Sequence, residues 1–476
     1  MNAWEWECVI GYLSTCSVVD CGPLYGPIKQ FALKRDDDLN LIFETVSRID
    51  SSSRAEPILS GTVRRSTEEI RFIGPSGETA IARGVVPFSL THSFGAAPSD
   101  AIKTEQSKLH SVEWTATVDQ KVAHTIQWLE NMPDHFVWPH SVAREATTTS
   151  TLIYRGDQLA IELSDSSQSG GSSRSCVHLS LAGLDIFVVK PRNLKIEGIR
   201  SPGFILYKGN PSYEDQAKVR DILSFCLGQF LVDLGFTNFD DQWHPIHFKS
   251  TTAHTMHGSV FKLITLPPTP LCDRSYNEID KNILERMMTA LWDVYDAFEL
   301  QSVFWAYWHA AAAPVHIAAV HYGAAIESLQ RKYAEQQGTK FKTTILDGGT
   351  WKILSNQIEK LICELDCDKA TTALLTRKAQ SLNSAPQGTV MERFFAELSI
   401  EVGPVELSAW TNRNKAAHGR QIKEGNFITV IRENKALMVL LNRILLSISG
   451  ASRHYCNYYT VGHPVSALAA PIPAES

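Results

Sequence analysis

The chain has 476 residues, 44% hydrophobic and 20% charged, with a formal net charge of −6. That length allows two or three globular domains, and the acidic balance excludes a global basic field as the means of holding nucleic acid, so any such contact must be a local patch. Nine cysteines, an odd number scattered among apolar residues, read as reduced, buried thiols of a cytoplasmic protein rather than as a disulfide framework.

The N-terminus, MNAWEWECVIGYL, carries two acids and no basic run before its apolar stretch, and so does not read as a signal peptide. Short apolar segments follow (WECVIGYL, LNLIFETV, EEIRFIG, TAIARGVV), separated by Gly, Pro, Ser and Asp clusters, and they read as strands. STLIYRGDQLAIEL and VHLSLAGLDIFVV resemble hairpins that turn at Gly156-Asp157 and at Gly183, with SDSSQSGGSSRS (164–175) as a polar flexible loop between them. The Arg155-Gly156-Asp157 tripeptide is turn chemistry. From Tyr213 to Leu234 the apolar period changes to three and four, which indicates one amphipathic helix ending at Gly235. The prolines of LPPTPLCD (266–273) mark an inter-domain boundary.

Beyond about residue 278 the chain reads as helical, through Ile279–Leu300, Ser302–Gln336, Trp351–Cys363, Ala370–Leu382, Met391–Ile400, Val405–Ala417 and Phe427–Ile448. Residues 302–326 contain no Asp, Glu, Lys or Arg and meet the length of a membrane span. Alanine richness, Pro314 and three histidines favour a buried bundle helix instead, so no membrane partner is expected. The resulting architecture is α+β and multidomain. Residues 1–195 form a β-rich domain, 196–277 a mixed continuation and linker, 278–450 an all-α bundle, and 451–476 a tail that frays.

Four histidines, His244, His247, His254 and His257, form two HxxH pairs. No cysteine or carboxylate accompanies them at ligand spacing, and positions i and i+3 of a strand face opposite ways, so a surface β-region is expected rather than a zinc site. Cys363-x3-Cys367 likewise lacks partner ligands. Asp347-Gly-Gly-Thr350 has neither the Lys nor the strand of a phosphate loop and reads as a helix start capped by Thr350. No metal and no cofactor are expected.

The segment TNRNKAAHGR (411–420) is the one with chemistry. Arg413 cannot lose its charge and can grip two phosphate oxygens. His418 titrates near neutrality and can take a proton from a ribose 2′-OH or return one to a leaving 5′-oxygen. Asn414 can orient the phosphate or the imidazole, and Lys415, Arg420 and Lys423 supply the local positive patch that the whole chain lacks. Five residues along a helix is 500°, so Arg413 and His418 sit about 140° apart and do not share a face. They suit a helix end, or a site between two copies of the helix. Without further context the same residues read as a helix end, with His418 near the negative pole and Gly419 as its cap.

Arg413-Asn414-x3-His418 resembles the R-N-x3-H signature of HEPN ribonucleases, and like that family it follows a helical bundle and precedes a long apolar-striped helix. HYGAAIESLQRKY (321–333) is similar to the early HEPN helix with an Ala-Ile-Glu element, which implies Glu327 as a partner of Arg413. Joined to a β-rich half that opens on Gly11-Tyr12-Leu13, a GYL-type strand, the chain resembles the ApeA type of bacterial anti-phage abortive-infection protein. The resemblance implies a homodimer through the HEPN domain, or a higher oligomer, with both Arg413-x4-His418 motifs in one cleft. It also implies metal-independent cleavage of RNA, tRNA in the anticodon region above all. The N-terminal half would restrain the site until it meets a phage-derived trigger. Two other readings stand beside it: a non-catalytic HEPN-fold module for RNA binding or assembly, and a β-domain ligand sensor with a helical dimerisation domain.

Overall fold

The computed structural model describes residues 11–53, 68–94, 101–117, 120–154, 159–191, 200–253, 265–272, 278–417 and 425–474, with 49–53, 143–154, 159–173 and 414–417 as backbone alone. It divides into two compact units, Met1–Pro267 with Leu271–Thr289, and Pro268–Pro270 with Ala290–Ser476. The first is β-rich and the second helical, so the chain is α+β.

In the first unit a helical stretch at residues 11–14 (α1) leads to β1 (Ser17–Asp20), β2 (Tyr25–Arg35), β3 (Leu41–Ser53) and β4 (Glu69–Ile73). Next come β5 (Thr79–Arg83), β6 (Val86–Ser93), β7 (Ile102–Leu109), β8 (Ser111–Thr115), β9 (His124–Glu130) and β10 (His140–Tyr154). They are followed by β11 (Leu159–Leu181), β12 (Leu184–Val189), β13 (Gly203–Lys208), helix α2 (Tyr213–Leu227), β14 (Val232–Phe239) and β15 (Pro245–Thr251). Strands β2-β3-β7-β6 form a four-stranded sheet, and the rest form an eleven-stranded one in the order β1-β4-β5-β8-β15-β14-β9-β13-β12-β11-β10. The strands after residue 195 are therefore laid between earlier ones. A core of Leu33, Phe43, Ile70, Phe72, Trp114 and Phe248 joins residues of both sheets, with Trp114 stacked on Phe248 at 5.5 Å between ring centroids.

Three expectations for this unit fail. Gly11-Tyr12-Leu13 is helical, not a strand: Leu13 is buried, Tyr12 lies against Trp114, and the Ser14 and Thr15 hydroxyls donate to the Gly11 and Tyr12 carbonyls. Residues 164–175 are not a loop. They continue β11, pairing with the Thr-rich β10 from Tyr154–Leu159 down to His140–Cys176, so the partner strand outweighs a turn-like composition. The turn at Gly156-Asp157 lies outside the described residues. Helix α2 stops at Leu227, where Gly228 adopts the left-handed cap conformation, and Leu231 N–H is taken by the Ser224 hydroxyl. Gly235 instead sits inside β14 at φ +123°, where a Cβ would come within 1.9 Å of the Lys249 carbonyl oxygen.

The second unit holds most of α3 to α10: α3 (Lys281–Val294), inside which the chain makes its last crossing between units, α4 (Leu300–Ala312), α5 (Val315–Gln337) and α6 (Gly348–Cys363). The remaining helices are α7 (Lys369–Gln380), α8 (Gln387–Glu397), α9 (Pro404–Ala417) and α10 (Phe427–Ser449), before a small hairpin of β16 (His454–Cys456) and β17 (Val465–Ala467). Pro314 divides the stretch expected as one helix over 302–336 into α4 and α5, because proline cannot donate to the ladder. No helix among the described residues is long and apolar enough to cross a membrane. At the start of α6 the cap is Asp347 rather than Thr350: its carboxylate accepts from the Gly349 and Thr350 backbone amides and from the Thr350 hydroxyl.

Helix α10 carries the apolar stripe through Leu437, Leu440, Leu441, Ile444 and Leu445, all buried, and packs on α5 and α9. The tail does not fray. Tyr455 and Ile472 are buried, and a fully buried pair, Arg443–Glu406 at 2.8 Å, ties the segment down. Arg443 donates to the Leu468, Glu401 and Ala469 carbonyls, and Glu406 accepts from Ile472 N–H.

Candidate functional site

Helix α9 presents the motif. Its buried positions are Glu406, Ala409, Trp410 and Arg413, the i, i+3, i+4, i+7 stripe of an amphipathic helix, with a charge at each end. At the N-terminal end Glu406 reaches back to Gly403 N–H as a capping-box acid does, then meets Arg443 of α10. At the other end Arg413 meets α5. Two ion pairs thus fix one short helix against both of its neighbours.

Arg413 is only 9% exposed. One guanidinium nitrogen donates to the Trp410 carbonyl at 2.6 Å, and another pairs with Glu327 Oε1 at 2.5 Å. The guanidinium carbon lies 3.3 Å from the centre of the Trp410 indole, so the planar cation is stacked as well as hydrogen-bonded. Its aliphatic stem crosses Gly323, one turn before Glu327 on α5. A Cβ there would come within 2.8 Å of Arg413 Cδ. Glu327 stays 46% exposed on its side chain, so this pair is half screened by solvent.

Of the residues singled out in the sequence, Arg413 and Glu327 are brought together. Asn414 and Lys415 lie on the last turn of α9, described as backbone alone, while His418, Arg420 and Lys423 lie outside the described residues. Trp410 and Gly323 were missed by sequence reasoning. The signals for them were faint: Trp410 stands at i−3 from Arg413, and Gly323 at i−4 from Glu327, spacings that share a face only once the helices are known.

No family model matches the chain, and no curated protein or solved structure matches it.

Elsewhere on α9, Val405 and Ser408 border a cleft of about 430 Å³ with Thr429, Arg432, Glu433 and Tyr459. Arg432 lies over the Tyr459 ring, and Asn412 donates to Glu433 across the rim. Leu407 of α9 and Phe427, Ile428 and Ile431 of α10 expose apolar side chains. In the other unit, His244 pairs with Asp240 at 3.2 Å, while His247 sits in β15 near Glu113, its imidazole pushed down by burial. His254 and His257 lie outside the described residues, and no group of three or more His, Cys, Asp or Glu side chains suited to a metal occurs among the described ones.

Proposed function

We propose that the chain is a HEPN-type endoribonuclease of anti-phage defence, cleaving RNA without a metal at a site completed by a second copy of the chain. The observation that carries this reading is the fixed guanidinium of Arg413. A cation held by Glu327, the Trp410 carbonyl and the Trp410 ring loses little entropy on meeting a phosphate, and it stands in the Arg-Asn-x3-His order. The exposed apolar side chains of Leu407 on α9 and of Phe427, Ile428 and Ile431 on α10, the helix that follows the motif, support pairing of two motif helices.

In the proposed reaction one His418 imidazole takes the proton of a ribose 2′-OH, and the 2′-oxygen attacks phosphorus. The bond to the 5′-oxygen then breaks as the partner's His418 returns a proton to it. A 2′,3′-cyclic phosphate and a 5′-OH result, with Arg413 holding the doubly charged phosphorane and Asn414 orienting it. The substrate class is RNA, tRNA first, in the cytoplasm, with the β-rich unit as the element that a phage product would release.

The second reading, a non-catalytic RNA-binding or assembly module, is favoured by one observation. Arg413 is nine-tenths buried and two of its guanidinium nitrogens are already engaged, as in a purely structural anchor. Sequencing of RNA ends by a method that captures cyclic phosphates, in phage-infected cells carrying wild type or His418→Ala, separates the two. New ends that vanish in the variant and survive EDTA in lysates support the nuclease. Protection from phage by both chains with identical RNA profiles overturns it.

A further inference from the structure

The helical hairpin α6–α7 stands on a closed neck. Thr344 and Ser384 form an antiparallel bridge, Ala385 N–H donates to the Thr343 carbonyl, and the buried Asn383 amide clamps both backbone groups of Leu346 at 2.7 and 3.1 Å. Arg393 of α8 adds bonds to the Lys342 and Thr344 carbonyls. Above this neck the two helices bury little: Ile362 in α6 and Ala379 in α7. Meanwhile Ile345, Ile353, Leu361, Leu365, Leu374 and Leu382 are each more than half exposed. Two helices of this length are marginal without an apolar partner, and an exposed apolar face of this kind marks an interaction surface.

Charge says what covers it. The tip half carries four carboxylates (Glu359, Glu364, Asp366, Asp368) against two lysines (Lys360, Lys369). The neck half carries three cations (Lys352, Arg377, Lys378) against Asp347, with Lys340 and Lys342 just below. A hairpin with a negative tip, a positive neck and an apolar face between is complementary to itself when inverted. A two-fold axis pairs tip with neck twice over. We infer that α6–α7 is a self-association arm that packs antiparallel on the same arm of a second chain as a four-helix layer. This contact is separate from pairing of the α9 helices and does not depend on it. Helix α6 is about 24 Å long, so the layer is a small interface, and association in the micromolar range is expected.

The test uses the full-length chain carrying Phe427→Glu and Ile428→Glu, which removes the apolar contact beside α9, and follows mass by sedimentation. This chain is expected to dimerise, and Leu361→Glu with Leu374→Glu to weaken the dimer roughly tenfold or more. Reversing the tip (Glu364→Lys, Asp366→Lys) or the neck (Arg377→Glu, Lys378→Glu) alone is also expected to weaken it, and both reversals in one chain to restore it. Unchanged thermal unfolding shows that each variant remains folded. A background chain that is a monomer at these concentrations overturns the arm. So does a dimer indifferent to the leucine changes, and so does a double reversal that fails to restore what each single reversal lost.

Discussion

Arg413 is a residue whose neighbours decide what it is. On sequence it is a cation near a histidine; in the fold it is a guanidinium sandwiched between an indole, a carbonyl and a carboxylate, over a glycine that leaves room for its stem. Gly323→Ala is therefore expected to push Arg413 off Trp410. If the site cleaves RNA, cleavage should fall at least tenfold while the melting temperature changes by a few degrees, read by in vitro cleavage beside calorimetry. Glu327→Gln keeps a hydrogen-bond acceptor and removes only a half-screened charge, so its effect on stability is expected to stay within about 1 kcal/mol, measured by denaturant titration. His247 makes a separate statement about pH. Burial holds its imidazole below the ordinary value of about 6.5. The unfolded chain then binds the proton first, so its contribution is full above about pH 6.5 and is lost as pH falls from there through the lower folded value. His247→Asn is expected to flatten the fall in stability between neutral and mildly acidic pH in chemical denaturation.

At the scale of elements, α9 explains why its own pattern is hard to read. Its buried stripe begins with Glu406 and ends with Arg413, so an apolarity count finds no face, though a face exists. Helix α10 is the opposite, legible from Leu437 to Leu445 although Ile428 and Ile431 of the same stripe stay exposed, yet it hides one cost. Asn442 is buried in its stripe, and neither amide atom has a hydrogen-bond partner among the described residues. Replacing it by the similarly shaped Asn442→Leu removes that desolvation penalty, and a gain of about 1–2 kcal/mol in unfolding free energy is expected. In the sheet, Gly235 is fixed by both its positive φ and the Lys249 carbonyl oxygen, so Gly235→Ala is expected to cost about 2–4 kcal/mol or to prevent folding of the β-rich unit.

The whole chain is closed in its helical unit by one buried pair. Arg443 and Glu406 are both fully buried, and between them they hold five backbone groups, of Glu401, Gly403, Leu468, Ala469 and Ile472. Burial pulls the Arg443 guanidinium below its ordinary range while Glu406 pushes the other way, which is the balance of a desolvated but paired ion. Arg443→Met alone leaves a buried carboxylate and is expected to cost about 3–5 kcal/mol. Proteolysis should then begin in residues 451–474, the segment that the pair retains.

The sequence by itself determined the change from a period of two to a period of three and four near the middle of the chain, and with it the order of a β-rich and a helical half. It also determined the α10 stripe from Leu437 onward, because periodicity acts locally, whereas the stretch read as one helix over 302–336 is two, parted at Pro314. It singled out Arg413, and the resemblance pointed on to Glu327. Tertiary structure alone decided that residues 164–175 extend a strand, since pairing partners lie outside any local window. It alone decided that Gly228 rather than Gly235 ends α2, since both glycines are permissive and only packing distinguishes them. Tertiary structure also set Trp410 and Gly323 around Arg413 and made the tail part of the core, because stacking, close approach and buried ion pairs join residues that the sequence keeps far apart.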